Sequence, residues 1–287
     1  MFDRILVVDW SARATPSPRT PSPDAIWTAE AGHPPLYHRT RSVAADAIAA
    51  TIRDALDSGQ RLLVGLDFPF GYPAGFANRL TGQADALAVW DWLALHVEDA
   101  PDNANNRFQV AAKVNRMFPG TGPFWGCPPA HAGPDLTATK PGPEHGLPDR
   151  RHVETLVRSA QPCWKLYTTG SVGSQALLGI ARLEQLRRDF GPDIAVWPFQ
   201  PADSAAIVLA EVYPSLLSDA VRAEETRTGD PIRDRVQVAV LARALARMAQ
   251  SGTLADAIGA AQCPHLPEEG WILGAGAEPA LRAAATP

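Results

Sequence analysis

The sequence is poor in the features that mark disulfide-rich, zinc-binding or membrane-spanning proteins. Its three cysteines, Cys127, Cys163 and Cys263, are far apart and form no CxxC pair, which argues against a disulfide framework and against a zinc knuckle. No apolar run approaches the roughly 18 residues that a transmembrane helix needs. The first residues enter a strand-like segment without the charged and apolar regions of a signal peptide. We therefore expect a cytoplasmic protein that makes no membrane contact.

Acidic residues outnumber basic ones, but the charge is unevenly distributed along the 287 residues. The formal net charge of −5 excludes a generic polyanion binder. Between Asn103 and Gly170, however, eight Lys and Arg residues stand against four Asp and Glu residues, so this segment is positive and the remainder is strongly negative. The length suits one large α/β domain, and we expect a single domain over residues 1–287.

Two apolar segments each end in an aspartate. Residues Leu62–Leu66 lead into Asp67, and Ile5–Val8 lead into Asp9. Short continuous apolar runs are typical of strands buried on both faces of a parallel or mixed sheet. Open α/β sheets bind their ligands at the carboxyl ends of such strands, and a charge there is costly unless it is paired or bound to a metal. The alternative is that each aspartate only caps a following turn.

The first 70 residues predict a β-β-β-α-β order. The predicted elements are strands over 4–9, 25–29, 36–40 and 62–67, with a helix that is capped by Ser42 and carries Ala45, Ile48, Ile52 and Leu56 on one face. A right-handed crossover through this helix places the last strand parallel to the first. Neighbouring strands lie about 4.8 Å apart, so we expect Asp9 and Asp67 to face one small volume.

Residues 74–160 predict a large insertion after the fourth strand. A helix over 84–97 precedes a Pro- and Gly-rich stretch over 118–148, which is too long for an ordinary connection. The insertion carries most of the positive segment. Its aromatic residues are Phe108, Phe118, Phe124 and Trp125. They either form a small satellite core, which is the commoner outcome, or stack nucleic-acid bases.

A turn rich in Gly, Ser and Thr precedes a predicted helix over 175–189. Such a turn offers free backbone N–H groups to an anion, although the GxxxxGK[ST] pattern of a P-loop is absent. Lys165 lies just upstream, and we favour a phosphate contact over a plain surface position for it. The candidate substrate-binding residues are Ser11, Lys165, Thr169, Gly170, Ser171 and Ser174.

Two further acids occur in apolar surroundings later in the chain. Strands are predicted over 195–199 and 206–214, and Glu211 in the second of them needs a partner. Asp230 and Pro231 predict the start of a helix that runs to about residue 250. Asp234 lies on its apolar face with Gln237 nearby, although a helix-dipole role is the alternative. A short helix over 254–261 and an Ala-rich tail that frays complete the prediction.

Five motifs, taken in order, resemble a bacterial domain-of-unknown-function family of predicted RNase H-like nucleases. The motifs lie at residues 7–11, 65–71, 162–175, 211–214 and 269–272. The wider RNase H-like superfamily includes Holliday-junction resolvases, RNase H and transposases. The resemblance implies an α/β, RNase H-like fold. We expect a mixed sheet of five or more strands, with helices on both faces and the large insertion after the fourth strand.

The same resemblance implies a metal-dependent nuclease. Asp9, Asp67, Glu211 and Asp234 match the family's metal-binding and catalytic acids, and carboxylates suit Mg²⁺ or Mn²⁺. Two such ions activate a water and stabilise the leaving oxygen of a phosphodiester, in DNA or in RNA. The sequence departs from many resolvase-like members at Gln237, where those proteins carry a further acid.

Two other functions stay open at this point. The long insertion suits a closed pocket for a phosphorylated small molecule or a nucleotide, and some relatives carry a label for molybdopterin guanine dinucleotide synthesis. A non-catalytic binding protein on the same fold is the third hypothesis, which Gln237 and the negative net charge favour. The sequence does not indicate an oligomeric state.

Overall fold

A computed structural model describes residues 1–286 as an α/β protein built on one six-stranded sheet. The strands are β1 (Arg4–Asp9), β2 (Ile26–Glu30), β3 (Leu36–His38), β4 (Leu62–Leu66), β5 (Ile194–Trp197) and β6 (Ile207–Glu211). The helices are α1 (Arg41–Asp57), α2 (Phe76–Thr81), α3 (Ala86–His96), α4 (Arg107–Asn115), α5 (His152–Leu156), α6 (Gly173–Phe190), α7 (Ser218–Thr228), α8 (Arg233–Ser251), α9 (Thr253–Gly259), α10 (Leu266–Glu269) and α11 (Glu278–Ala285). Within the described residues, no helix is long and apolar enough to cross a membrane.

The sheet is mixed, and its strand order is β3-β2-β1-β4-β6-β5. β1, β2 and β3 pair antiparallel, whereas β1, β4, β6 and β5 run parallel. In the β1–β4 register Val8 stands opposite Leu66, so the residues that follow them end at the same edge. The prediction that the strand after α1 lies parallel to β1 and beside it is confirmed.

Helices cover both faces of the sheet. Successive strand residues point to opposite faces, so Leu6 and Val8 pack on the side of α1 and α6, while Ile5 and Val7 pack on the side of α8. All five residues of β4 and all five of β6 are buried. This two-sided burial explains why these strands read as continuous apolar runs rather than as alternating ones.

Two predicted helix starts were slightly wrong. α1 begins at Arg41 with Thr40 as its N-cap, whose hydroxyl accepts a hydrogen bond from the Val43 amide, so Ser42 is not the cap. α8 begins at Arg233 after Ile232. Asp230, the predicted cap of that helix, instead accepts from the Ile232 amide in the preceding turn.

The chain between β4 and α6 contributes no strand to the main sheet in the structure described. It contains α2 to α5 and two short 3-10 turns at Pro129–His131 and Pro143–His145. The Phe118 ring stacks on Phe76 at 5.5 Å, and Phe124 meets Trp164 edge to face at 5.3 Å. Both phenylalanines are buried in the same apolar cluster as Val8 and Val64 of the sheet, so they pack in the main core and not in a separate satellite core.

The Ala-rich tail forms the ordered helix α11, so the prediction that it frays was wrong. α11 packs on α8 and buries Leu281 and Ala285. Arg247 of α8 also donates a hydrogen bond to the Ala284 carbonyl, at 3.1 Å. Packing against α8 and this hydrogen bond stabilise α11. Neither contact can be predicted from the amino-acid composition of the tail.

Candidate functional site

The ends of two adjacent parallel strands bring a pair of carboxylates together. Asp9 is the last residue of β1, and Asp67 follows β4 directly. Their side chains lie close enough that each affects the pKa of the other. The backbone N–H of Trp10 donates to Asp67 Oδ1 at 2.7 Å. A hydrogen bond between the two carboxyls would require a proton, because two ionised carboxylates have no donor between them.

Burial and repulsion by neighbouring carboxylates raise the pKa of both acids. Burial raises the pKa of Asp9 well above its ordinary value, and the nearby charges of Asp67 and Asp234 raise it further. Burial also raises the pKa of Asp67, to about 6, although the Trp10 N–H partly opposes this effect. Within the described residues no Lys, Arg or His lies within salt-bridge distance of either carboxylate. The pair therefore holds a shared proton or binds a cation.

Two further acids face the same cleft from outside the sheet edge. Asp234, in the first turn of α8, accepts a hydrogen bond at its Oδ2 from the backbone N–H of Asp24, at 2.8 Å. Asp24 has a left-handed backbone with a φ of 55°, which Asp tolerates better than most residues. Sequence reasoning missed Asp24. Its only signal is an aspartate that ends a Pro- and Ser-rich loop just before a strand.

These acids line one wall of an open cleft of about 1210 Å³. The other walls come from the start of α4, from residues 128–131 and from the turn that enters α6. Gln237 lines the cleft as well. Asp9, Asp67 and Asp234 thus share one cavity, as the sequence predicted for them.

The predicted Gly/Ser turn also lines the cleft. Thr169, Gly170, Ser171 and Ser174 all face it. The Ser174 hydroxyl donates to the Leu166 carbonyl at 2.6 Å, which fixes the start of α6 against the preceding segment. Across the cleft, the Ser11 hydroxyl lines the same cavity and donates to the Asp24 carbonyl at 2.9 Å.

Lys165 is not part of the cleft wall. Its ammonium group donates to the Thr169 carbonyl at 2.8 Å and lies 5.9 Å from the centre of the Trp125 ring. Lys165 therefore stabilises the turn through this hydrogen bond and does not face the cleft. Two arginines line the cleft, Arg13 and Arg107, and the sequence marked Arg107 only as one member of the positive segment.

Glu211 lies apart from the acid pair, in a buried ion pair. Arg151 donates from Nη2 to Glu211 Oε1 at 2.6 Å and from Nη1 to Oε2 at 2.7 Å. The Phe70 backbone N–H donates to the same carboxylate at 3.0 Å. Arg151 is thus the partner that the buried Glu211 carboxylate needs. Glu211 does not line the cleft that holds the three aspartates.

The Glu211 pair belongs to a buried polar network that fixes the chain after Asp67. Glu269 Oε1 accepts from the Ala74 backbone N–H at 3.0 Å, and Glu268 Oε2 accepts from Gly75 N–H at 3.0 Å. Gly71 packs so closely on this segment that a Cβ there would lie 2.3 Å from the Glu268 carbonyl oxygen. α10 thereby holds the loop that begins at Asp67.

The carboxylates of Asp9 and Asp67 can bind a hard divalent cation only if water or substrate supplies the remaining ligands. Among residues 1–286, no group of three or more His, Cys, Asp or Glu side chains is arranged to hold a metal ion by itself. Mg²⁺, however, commonly binds through one or two carboxylates and takes its other ligands from water and substrate phosphates. Asp9 and Asp67 fit that pattern, because they are adjacent acids without a cationic partner.

Comparison with known proteins adds no relative. No family model, no curated protein and no solved structure matches the chain. The class of site, an acid pair at the carboxyl ends of two parallel strands, therefore rests on the geometry described above.

Proposed function

We propose that the protein is a metal-dependent phosphodiesterase of the RNase H-like type. The observation that carries the proposal is the pair formed by Asp9 and Asp67, two adjacent carboxylates in an open cleft, with no Lys, Arg or His of the described residues within salt-bridge distance. Two ionised carboxylates in such a place are unfavourable unless a proton or a bound cation compensates for their charge. The β-β-β-α-β order of the first four strands and α1 supports the RNase H-like assignment.

In this proposal the ionised carboxylates of Asp9 and Asp67 would hold a divalent cation. Mg²⁺ or Mn²⁺ supplies a water of lowered pKa and stabilises charge on phosphate oxygens when it is bound. Asp234, which the Asp24 amide holds in place, accepts a hydrogen bond from water or completes the acidic wall. Gln237 contributes a neutral amide that donates to an anionic ligand, where a further acid would repel it.

The size of the cleft favours a nucleic-acid segment over a single small molecule. Sites for small molecules commonly enclose about 300–1,000 Å³, whereas this cleft measures about 1210 Å³ and is open. The turn before α6 and Arg107 face the acids across the cleft, so a strand whose phosphates alternate with sugars meets both walls. DNA and RNA are equal candidates in this respect.

Calorimetric titration with Mn²⁺ and Mg²⁺ tests the metal site. We expect wild-type protein to bind, and we expect the double variant Asp9→Asn with Asp67→Asn to lose that binding. Asp219→Asn is the matched control, because Asp219 is a surface acid with a 92% exposed side chain. Unchanged metal binding in the double variant would remove the basis of the proposal.

A cleavage panel then tests the reaction. Single-stranded, duplex and branched DNA and the corresponding RNAs are incubated with Mg²⁺ or Mn²⁺. We expect products with wild-type protein and none with Asp67→Asn. Metal binding without cleavage of any substrate would instead favour a non-catalytic binding protein.

A further inference from the structure

Arg107 is a buried cation in the wall of the cleft that also contains the acid pair. It is the first residue of α4, its exposed fraction is 9%, and it lines the cleft. Its guanidinium also lies 4.4 Å from the centre of the Phe108 ring. The side chain is thus enclosed on the protein side, with the cleft as its open direction.

In contrast to the other deeply buried arginines, Arg107 has no carboxylate partner within the described residues. Arg41 pairs with Asp99 at 2.6 Å and Arg151 pairs with Glu211 at 2.6 Å. Arg107 donates from Nε to the Ser174 hydroxyl at 3.0 Å and from Nη1 to Asn105 Oδ1 at 2.8 Å, and both acceptors are neutral. Within residues 1–286, its Nη2 donates to no acceptor. A buried guanidinium without a counter-ion is costly, which points to an anionic ligand.

The amino end of α6 adds unpaired donors beside this guanidinium. α6 spans 18 residues, and Val172 before it provides no side-chain cap. The backbone N–H groups of Ser174 and Gln175 find no acceptor within the described chain, although Gly173 and Ala176 do. Free N–H groups and the helix dipole favour an anion at such an end, and the Ser174 hydroxyl links this end to Arg107 directly.

We propose that Arg107 Nη2 and the first turn of α6 form a metal-independent binding site for a phosphate group. Gln175 connects this site to the acid pair, because its Nε2 donates to the Trp10 carbonyl at 2.6 Å, one residue after Asp9. A ligand that reaches both places carries a phosphate beyond the one at the acids, as a polynucleotide strand does. That the ligand is a substrate rests on the proposed function; the phosphate site itself does not.

The phosphate site is tested with inorganic phosphate in the presence of EDTA. The Arg107 Nε–H resonance is followed by NMR in wild-type protein during the titration, with chloride replacing phosphate at equal ionic strength as the reference. The Arg107→Lys spectrum assigns the resonance. We expect a saturable shift of this resonance, because a bound phosphate contacts the same guanidinium. No shift up to the highest phosphate concentration overturns the proposal.

Variants give the second measurement, by calorimetry under the same conditions. Arg107→Gln is expected to weaken phosphate binding by at least about tenfold, since the change removes the charge from the hydrogen bonds that the guanidinium donates. Arg116→Gln, which removes an exposed arginine at the other end of α4, is the matched control and should bind as wild type does. Equal weakening in both variants overturns the proposal.

The acid-pair variants separate this inference from the proposed function. Asp9→Asn with Asp67→Asn should keep or tighten phosphate binding in EDTA, because the change removes negative charge from the cleft. Loss of metal binding with retained phosphate binding supports both sites independently. If the metal titration fails while phosphate still shifts Arg107, only the phosphodiesterase proposal falls.

Discussion

At the scale of single residues, buried carboxylates in this protein occur in two opposite settings. Glu211 is neutralised by the two-point contact with Arg151, whereas Asp9 and Asp67 have no cationic partner among the described residues. A paired buried charge serves the fold, and an unpaired one lowers stability unless a ligand compensates for it. This contrast separates the acids that hold the structure from those available for chemistry.

The first residue-scale prediction concerns Asp67→Asn. Asparagine keeps the acceptor for the Trp10 N–H and removes the charge, so we expect the variant to be more stable than wild type at about pH 8, by about 2–3 kcal/mol. Urea unfolding monitored at several pH values measures this difference. A variant that is less stable than wild type at that pH would contradict the raised pKa.

The pH dependence of the wild-type protein has a defined sign. Burial raises the pKa of Asp67 from 3.8 to about 6 in the folded state, so the folded protein retains a proton that the unfolded chain releases. The stability linked to this proton is fully present below the unfolded pKa and is lost as the pH rises through about 6. We expect the free energy of unfolding of Asp67→Asn to decline less steeply over this pH range than that of the wild-type protein. Saturating Mn²⁺ should restore stability to the wild-type protein but not to the variant.

The second residue-scale prediction concerns Glu211→Ala. Removing this carboxylate leaves the Arg151 guanidinium short of its principal partner, and breaking a buried pair costs about 3–5 kcal/mol. Asp219→Ala is the control, because exposed pairs contribute only about 0–1 kcal/mol. Both values come from urea unfolding. A stable Glu211→Ala protein that has lost Mn²⁺ binding would show instead that Glu211 is a metal ligand.

At the scale of elements, the C-terminal helix illustrates how tertiary packing overrides composition. α11 buries Leu281 completely against α8. The adjacent Arg282 is exposed. The sequence of α11 consists largely of alanine, which by itself indicates only a good helix former. Contact with α8 converts that propensity into a fixed element.

Replacement of Leu281 by alanine tests this contact. We expect a loss of about 2–5 kcal/mol in the free energy of unfolding, because the truncation leaves a cavity between α11 and α8. Arg282→Ala, one residue further along the same helix, should change stability by less than about 0.5 kcal/mol. Equal, small effects in the two variants would mean that α11 does not contribute to the core.

At the scale of the whole molecule, the region between β4 and α6 shares a core with the sheet. One contiguous apolar cluster contains Val8 and Val64 from the strands together with Trp90, Val110 and Phe124 from that region. The Arg151–Glu211 pair crosses the same boundary. Such shared burial opposes independent unfolding of either part.

We therefore expect a single cooperative unfolding transition. Tryptophan fluorescence reports on four tryptophans in the intervening region (Trp90, Trp92, Trp125 and Trp164) and on four outside it (Trp10, Trp27, Trp197 and Trp271), while far-UV circular dichroism reports on the helices. The two urea curves should coincide. Separate midpoints would show that residues 74–160 unfold as their own unit.

The sequence by itself determined the parts of this protein that depend on local pattern. Continuous apolar runs identified β1 and β4, and the crossover rule predicted their parallel pairing, so the amino-acid pattern alone places Asp9 and Asp67 together. The apolar stripe of α8 likewise put Asp234 on the inner face. These inferences succeed because strand and helix periodicity act over a few neighbouring residues.

Only the tertiary structure decided which charge meets which. Arg151 lies 60 positions from Glu211, and Arg107 lies 67 positions from Ser174. Arg107 begins the short helix α4 and Arg151 directly precedes the short helix α5, and no local pattern predicts where their side chains point. Long-range packing pairs Glu211 with Arg151 and places Lys165 outside the cleft wall. It also places Arg107 at the cleft, where this residue has no carboxylate partner in the described chain. These contacts depend on how loops close over the sheet, and that closure is a property of the whole fold.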